Sequence, residues 1–258
     1  MTKTQLRKEE VLLWLADKEK LNVSSISNRF NISPATARRL CNELAKEGKV
    51  KRLHGSIEIL DTPNKDYDFK KAMGIGHAEK HRIAEYIASM LNDGDSIFLE
   101  TGTTTLKCAM AISEQIQKGK LKKLRVFTNF LPILDVLGNF CEVSLLGGVY
   151  HPAKKCLYGY LSEQALKNIR FDYSIIGCES ISLERGIMTY DFDTIRFIDP
   201  LLAHSKHAVI VAHSDKFNHQ SFVSFMACEN AHVIVTDDGL SEKEAQAFLK
   251  KGIDLVRV

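Results

Sequence analysis

The chain has 258 residues, of which 45% are hydrophobic and 26% are charged, a balance that is ordinary for a globular protein. The length allows one large domain, or a small domain joined to a medium one. The apolar runs are too short to span a bilayer and no secretory signal opens the chain, so we expect a cytoplasmic protein with no membrane partner. The net charge of +3 is unevenly spread. Residues 1–60 hold 12 Lys/Arg against 7 Asp/Glu and the remainder holds 23 against 25, so the basic excess is local, as in a nucleic-acid-binding head.

Two short helices are predicted first along the chain. Val11, Trp14 and Leu15 give the first helix one apolar face, and Ile26 with Phe30 anchors the second. A turn then leads into a third helix.

The third helix carries the most informative pattern of the chain. Ser33 can cap its first amides, and Pro34 suits the first helical position. The apolar face, which is predicted to be buried, consists of Ala37, Leu40, Cys41 and Leu44. The opposite, polar face consists of Thr36, Arg38, Arg39 and Asn42. Contacts to phosphates and base edges use hydroxyl and guanidinium groups, so this helix is predicted to read DNA.

A basic hairpin is predicted directly after this helix, which ends at Gly48. Strands at 50–53 and 56–59 flank a turn, so that Lys51, Arg52 and His54 lie on a wing. Helices followed by such a hairpin form a winged helix-turn-helix plan. A generic three-helix bundle would explain the apolar faces but neither the basic face nor the hairpin. We therefore expect residues 1–60 to bind double-stranded operator DNA.

The rest of the chain has a different pattern. Residues 61–76 are polar at their start and are predicted to form a linker. From 77 to 258, helical segments alternate with short buried strands, which are predicted at Ser96–Leu99, Leu124–Phe127, Val143–Leu146, Tyr173–Ile176, Ala208–Val211, Val233–Val235 and Leu255–Val256. Such alternation predicts an α/β domain with a mainly parallel sheet and a ligand site at the carboxyl ends of its strands.

Small and polar residues follow three successive strands of this predicted sheet. Glu100–Thr105 opens a helix, where amides and hydroxyls suit a phosphate group. These loops would converge on one crevice, toward which a lysine after the fifth strand could point. The candidate effector-binding residues are Glu100, Gly102, Thr103, Thr104, Thr105, Asn129, Gly147, Gly148 and Lys216. An ordinary capped turn and a solvated loop lysine are the alternative interpretations.

Other chemistries find little support in the sequence. The six cysteines form no C-x-x-C pair and are expected to be buried, reduced thiols. His77 and His81 have the spacing of metal ligands, but no third ligand is in register. No catalytic triad and no nucleotide fingerprint appears. We expect no catalytic residue, no cofactor and no metal.

Taken together, these motifs resemble the DeoR family of bacterial transcriptional regulators over almost the whole chain. In the head the resemblance lies in Ser33, Thr36, Arg38, Arg39, Gly48, Arg52, His54 and Gly55. In the tail it lies in Glu79-Lys80, Asp93-Gly94-Asp95, Gly102–Thr105, Thr128-Asn129, Leu146–Gly148, Gly159, Phe171-Asp172 and Lys216-Phe217. The resemblance implies an effector domain with the fold of ribose-5-phosphate isomerase. It also implies a homodimeric or homotetrameric repressor of a carbohydrate-metabolism operon, controlled by a phosphorylated sugar or similar metabolite.

Departures from the family pattern occur in the head, at Ala37, Leu40 and Ser56, and in the tail, where they change the far side of the crevice. His213 stands where the family's Asp-x-x-Lys-Phe segment has its aspartate, and Glu100 stands where aspartate is usual. These changes indicate an atypical effector or a lost one. A sugar-phosphate isomerase or acyl-transfer enzyme fused to a DNA-binding head is the alternative function, with Glu100 as its base. A ligand-free architectural dimer is the third hypothesis.

Overall fold

The computed structural model of the chain describes residues 7–8, 10–12, 14–15, 20–46, 50–59, 69–190 and 192–258. The chain divides into two compact units, Met1–Asp66 and Tyr67–Val258, called here the head and the sensor unit. Within the described ranges, no helix is both long and apolar enough to cross a membrane.

The head has the predicted winged helix-turn-helix arrangement. Residues 7–8, 10–12 and 14–15 are helical, and the further elements are β1 (Lys20–Asn22), α1 (Val23–Arg29), α2 (Pro34–Lys46), β2 (Val50–Leu53) and β3 (Ser56–Ile59). The three strands form an antiparallel sheet in the order β1-β3-β2. The two wing strands are confirmed. Strand β1 was not predicted, because three residues carry no readable periodicity.

Helix α2 begins as its sequence predicts. The amide of Thr36 donates to Ser33 Oγ at 3.1 Å, and the amide of Ala37 donates to the carbonyl of Ser33 at 2.9 Å. Ser33 is therefore confirmed as the cap that satisfies the first amides of the helix. All four residues of the predicted apolar face are buried. Gly48, the predicted helix end, lies outside the described residues.

The sensor unit alternates helices with strands. Its strands are β4 (Ser96–Leu99), β5 (Arg125–Thr128), β6 (Glu142–Leu145), β7 (Val149–His151), β8 (Cys156–Tyr158), β9 (Phe171–Gly177), β10 (Ser180–Ser182), β11 (Gly186–Thr189), β12 (Ser205–Val211), β13 (Val223–Met226), β14 (Val233–Thr236) and β15 (Leu255–Arg257). Its helices are α3 (Phe69–Gly74), α4 (His77–Met90), α5 (Thr103–Gln117), α6 (Pro132–Leu137), α7 (Tyr160–Leu166), α8 (Phe192–Ala203) and α9 (Glu242–Leu249).

Seven strands form one parallel sheet in the order β15-β14-β12-β9-β4-β5-β6. All seven predicted strands are members of this sheet, so the α/β fold class is confirmed. Strand β4 is buried along its whole length, and the Phe98 ring packs edge-on against Phe171 with centroids 5.5 Å apart. Crossover helices cover such a sheet on both faces, which leaves the carboxyl ends of the strands as the accessible edge.

Two small antiparallel sheets and one helix were not predicted. The hairpin β7-β8 and the sheet β10-β11-β13 consist of strands of three or four residues, too short for a clear pattern. In the predicted linker, 61–68 lies outside the described residues, but Phe69–Gly74 is helical. Phe69 explains the difference, because its ring packs against Phe130 with centroids 5.7 Å apart and so attaches this segment to the core of the sensor unit.

Candidate DNA-binding surface and effector cavity

The polar face of α2 presents two arginines to solvent. Arg38 and Arg39 are both exposed, and the Arg39 side chain keeps 74% of its accessible surface. Arg39 Nε lies 3.8 Å from Oε1 of Glu43. An exposed pair at that distance contributes little to stability, so the guanidinium can turn to another anion at small cost.

Ser33 and Thr36 form the N-terminal edge of the same surface. Their hydroxyl groups are 2.8 Å apart and share a hydrogen bond, while Ser33 also caps the helix. The amino end of a helix carries partial positive charge, so a DNA phosphate placed here would meet both hydroxyls and amides.

On the wing, the three predicted residues differ in orientation. Lys51 and His54 are exposed. Arg52 instead donates from Nε to Asn42 Oδ1 at 3.1 Å, and from its Nη1 to the carbonyls of Leu53 and Ser56 at 2.9 and 2.6 Å. Arg52 therefore joins the wing to α2, a positioning role that sequence reasoning did not separate from direct DNA contact.

A cavity of about 140 Å³ lies at the carboxyl ends of the central strands of the sensor unit. Five of the predicted effector residues line it: Glu100, Gly102, Thr103, Thr104 and Lys216. Lys80, Lys154, Tyr158, Glu179 and His213 line it as well, and none of these was among the candidates. The sequence pattern could have identified Lys80, because positions 80, 83, 84 and 87 share the buried face of one helix. A lysine among apolar residues on such a face is a candidate for a buried functional group.

The other four predicted residues do not line this cavity, although all are described. The hairpin β7-β8 covers the loop after β5, since the amide of Leu157 donates to the carbonyl of Asn129 at 2.8 Å. A Cβ at Gly148 would lie 2.3 Å from the Tyr158 carbonyl oxygen, so this glycine permits close packing of the hairpin. Gly147 precedes it. Thr105 lies one residue deeper in α5 and donates its hydroxyl to the Gly102 carbonyl at 2.8 Å.

The amino end of α5 forms one wall of the cavity. The helix runs for 15 residues from Thr103, and no side chain caps it at Gly102. The first amides of a helix have no partner within it, and its dipole favours an anion at this end. Beside them, the Thr101 hydroxyl is buried without a hydrogen-bond partner among the described residues. This wall offers donors and positive potential to a ligand.

Buried ionisable groups form the remaining wall. Lys80 is only 3% exposed, and its ammonium donates to the Ala72 carbonyl at 2.9 Å. Burial, with Lys216 and Lys107 nearby, lowers the pKa of Lys80 to about 8. Lys216 is 3.2 Å from Glu179 Oε2.

Two further polar groups complete this wall. The carboxylate of Glu100, itself buried, accepts a hydrogen bond from the Tyr158 hydroxyl at 2.7 Å. His213 is 5% exposed, and burial together with Lys80 and Lys216 lowers its pKa. The cavity lining thus contains a buried ammonium group and a buried carboxylate, those of Lys80 and Glu100, beside a half-buried ion pair.

No group of three possible ligands for a metal ion occurs among the described residues. His77 Nε2 is 2.8 Å from the ammonium of Lys107, and His81 is 3.8 Å from Glu85. All six cysteines are free thiols, and Cys41, Cys108, Cys156 and Cys228 are buried.

Two family models match the chain. The DeoR-like helix-turn-helix domain matches residues 7–63, and the DeoR C terminal sensor domain matches residues 76–238. The second match alone covers more than half of the chain. This protein belongs to the DeoR family. It is a DNA-binding transcriptional regulator, as the winged head and the separate sensor unit predicted.

Curated relatives match over most of their own length. A putative aga operon transcriptional repressor of Escherichia coli O157:H7 is 24% identical over 100% of this chain and 95% of that protein. The glycerol-3-phosphate regulon repressor of Escherichia coli K12 is 24% identical over 84% of each chain. Both of these relatives are transcriptional repressors by name, and neither is named as an enzyme.

Among solved structures, a ribose 5-phosphate isomerase A from Methanocaldococcus jannaschii has 11% sequence identity and a TM-score of 0.41, with 55% of each chain covered. The fold class rests on the parallel strand order and the family match rather than on this distant likeness.

Proposed function

We propose that this DeoR-family protein is a repressor whose affinity for operator DNA is controlled by a phosphorylated sugar or a related phosphorylated metabolite. The observation that carries the proposal is the cavity in which the amino end of α5 meets a buried ammonium group, that of Lys80, and the partly buried side chain of Lys216. A phosphoryl group brings negative charge and several acceptor oxygens, and this wall supplies the matching donors and charge. The glycerol-3-phosphate regulon repressor, a relative of this chain, is named for a phosphorylated metabolite, which supports the same ligand class.

The size of the cavity favours a small metabolite. One buried water molecule needs a cavity volume of roughly 10–15 Å³. The volume of about 140 Å³ therefore has room for on the order of ten groups of the size of water. That suits a short phosphorylated carbon chain better than a nucleotide or a peptide.

For the head, we propose that Arg38 and Arg39 contact guanine edges or phosphates and that Thr36, beside Ser33, reaches a base or phosphate. Lys51 and His54 would hold the DNA backbone from the wing. Arg52, the remaining candidate, would act mainly by fixing the wing on α2. Such contacts make the affinity fall steeply as salt rises.

The division of labour and the assembly are part of the proposal. Residues 1–60 would bind DNA, residues 77–258 would sense the effector, and the protein would act in the cytoplasm as a homodimer or homotetramer. A two-fold assembly presents two heads to two half-sites of an operator, which suits a head with only a few base contacts.

The proposal is tested by fluorescence anisotropy with the full chain and duplexes tiled from the DNA that flanks its own gene, against a scrambled duplex. A panel of sugar phosphates is then added, with the unphosphorylated sugars as controls. We expect one phosphorylated compound to change operator affinity by about 5- to 150-fold. The variant Thr104→Glu, which places a carboxylate in the cavity wall, should bind DNA normally but ignore that compound. No response to any phosphorylated compound would contradict effector control.

A further inference from the structure

The residues that line the cavity fall into two groups, called lobes here, that follow different strands. Gly102 to Thr104 follow β4, whereas His213 and Lys216 follow β12, and β9 lies between these two strands. Neighbouring strands are about 4.8 Å apart, so the backbones of the two lobes are separated by roughly 10 Å. One phosphoryl group at the amino end of α5 is too small to reach both lobes.

The second lobe contains an unsatisfied buried side chain. Only 5% of His213 is exposed, and its Nδ1 has no hydrogen-bond partner among the described residues. A buried ring nitrogen without a partner is costly, and native structures rarely keep one without a reason. The ring packs closely on α4, since a Cβ placed at Gly76 would lie 3.1 Å from its Cδ2 atom. The imidazole is therefore held in place in the cavity wall.

Of the two ammonium groups around His213, that of Lys216 has an ion-pair partner among the described residues and that of Lys80 does not. Lys80, one helical turn beyond Gly76, has no carboxylate within 4 Å among the described residues and donates to a carbonyl instead. Lys216 is matched by Glu179 at 3.2 Å.

Neither aspartate near the ring balances Lys80. Asp215, 3.8 Å from His213 Nε2, is 76% exposed. Asp237 accepts hydrogen bonds from the amides of Ser214 and Gly239 at 2.7 and 2.9 Å, and a third from the Ser214 hydroxyl. The carboxylate of Asp237 is therefore already occupied by these three hydrogen bonds.

We infer that the effector carries two acidic groups, a phosphoryl group at the amino end of α5 and a carboxylate or second phosphoryl group beside Lys80 and His213. This inference rests on the proposed function and names its ligand class: phosphorylated sugar acids and bisphosphates, rather than phosphorylated sugars whose other end is neutral. His213 then determines specificity, because its ring, which lines the cavity, places a positive charge beside the second anion when it is protonated.

Proton uptake follows from the same geometry. Burial and the two lysines lower the pKa of His213 below its ordinary value, so the ring is neutral at neutral pH. Opposite charge beside the ring favours its protonated form, so a bound anion raises that pKa again. Affinity for a diacid should therefore rise as pH falls from neutral, as long as the ligand's own groups stay ionised.

The test is isothermal titration calorimetry of the full chain with two matched pairs of probes. The pairs are 5-phosphoribonate with ribitol 5-phosphate, and fructose 1,6-bisphosphate with fructose 6-phosphate; members of a pair differ in the second acidic group. We expect the diacid of at least one pair to bind about tenfold or more tightly than its partner, since a hydrogen bond between charged groups supplies that much. His213→Asp should remove the preference. His219→Asp, the same change at an exposed histidine, should keep it.

Thermal melting establishes that each variant folds, and His213→Gln, which cannot become charged, gives the same comparison if His213→Asp does not fold. Equal binding within both pairs, or a preference that survives both His213 variants, overturns the inference while leaving phosphate sensing intact. If none of the four probes binds but a monophosphate from the wider panel does, the inference also fails and the proposed function stands.

Discussion

The head and the sensor unit handle positive charge in opposite ways. Arg38 and Arg39 sit on an exposed helix face, where a charge keeps its hydration and costs the fold little. Lys80 is buried with a carbonyl as its hydrogen-bond partner, and its lowered pKa shows the cost of holding a charge away from water. The first arrangement suits a polyanion that is reached and left through solvent. The second suits a small anion whose attraction to the buried ammonium offsets the cost of desolvating that group.

Near each of these surfaces lies a cation whose donors are already engaged. Arg52 is engaged by Asn42 and two carbonyls, and Lys216 by Glu179. Arg52 and Lys216 therefore help to hold the surfaces in place, while Arg38, Arg39 and Lys80 are the cations proposed to bind a ligand. Whether a cation already has partners within the protein, rather than the net charge of a unit, decides which residues are expected to bind a ligand.

The largest expected effect is on DNA binding. Replacing Arg38 and Arg39 together with alanine should weaken operator binding by about 100-fold or more, because one good base contact supplies about 1–3 kcal/mol. The slope of log affinity against log salt should fall as well. Anisotropy measured over a salt series checks both quantities. Arg185→Ala removes an exposed arginine of the sensor unit and should change neither. Unchanged affinity and slope in the double variant would place the DNA contact elsewhere.

A medium effect is expected at Ser33, where capping and DNA contact can be separated. Ser33→Ala loses the bond to the Thr36 amide and should destabilise the head by about 0.5–2 kcal/mol in thermal or urea melting. Ser33→Asp keeps a good cap and should keep that stability, yet repel DNA phosphates and weaken binding. Should Ser33→Asp bind DNA as tightly as the parent chain, this end of α2 does not face the phosphates.

The smallest expected effect is a pH dependence that comes from Lys80. Its pKa in the folded chain is about 8, against an ordinary value of 10.5, so between these values the unfolded chain binds more protons. The contribution of Lys80 to stability should therefore rise with pH across that window. Subtracting the unfolding free energies of Lys80→Met from those of the parent chain, over pH 7 to 10, isolates this contribution; Lys120→Met, at an exposed lysine, is the control. A flat difference would show that Lys80 is solvated.

Periodicity was sufficient for the long-range plan of this protein and insufficient for the cavity wall. The seven strands of the parallel sheet are short apolar runs between helices, and Ser33 with Pro34 marks a helix start, so local sequence predicts both. The hairpin β7-β8 is too short to leave such a pattern, yet it decides that Asn129 and Gly148 do not reach the cavity. Similarly, Arg52 looks like its neighbour Lys51 in sequence, and only the position of Asn42 turns it inward.

The central claim is that the cavity and the DNA-binding head are coupled, and coupling is reciprocal. Once the panel has identified an effector, its affinity is measured by calorimetry with and without saturating operator DNA, and operator affinity is measured with and without saturating effector. The account predicts that both affinities change by the same factor, about 5- to 150-fold. An effector that binds equally tightly to the free and the DNA-bound protein would contradict it.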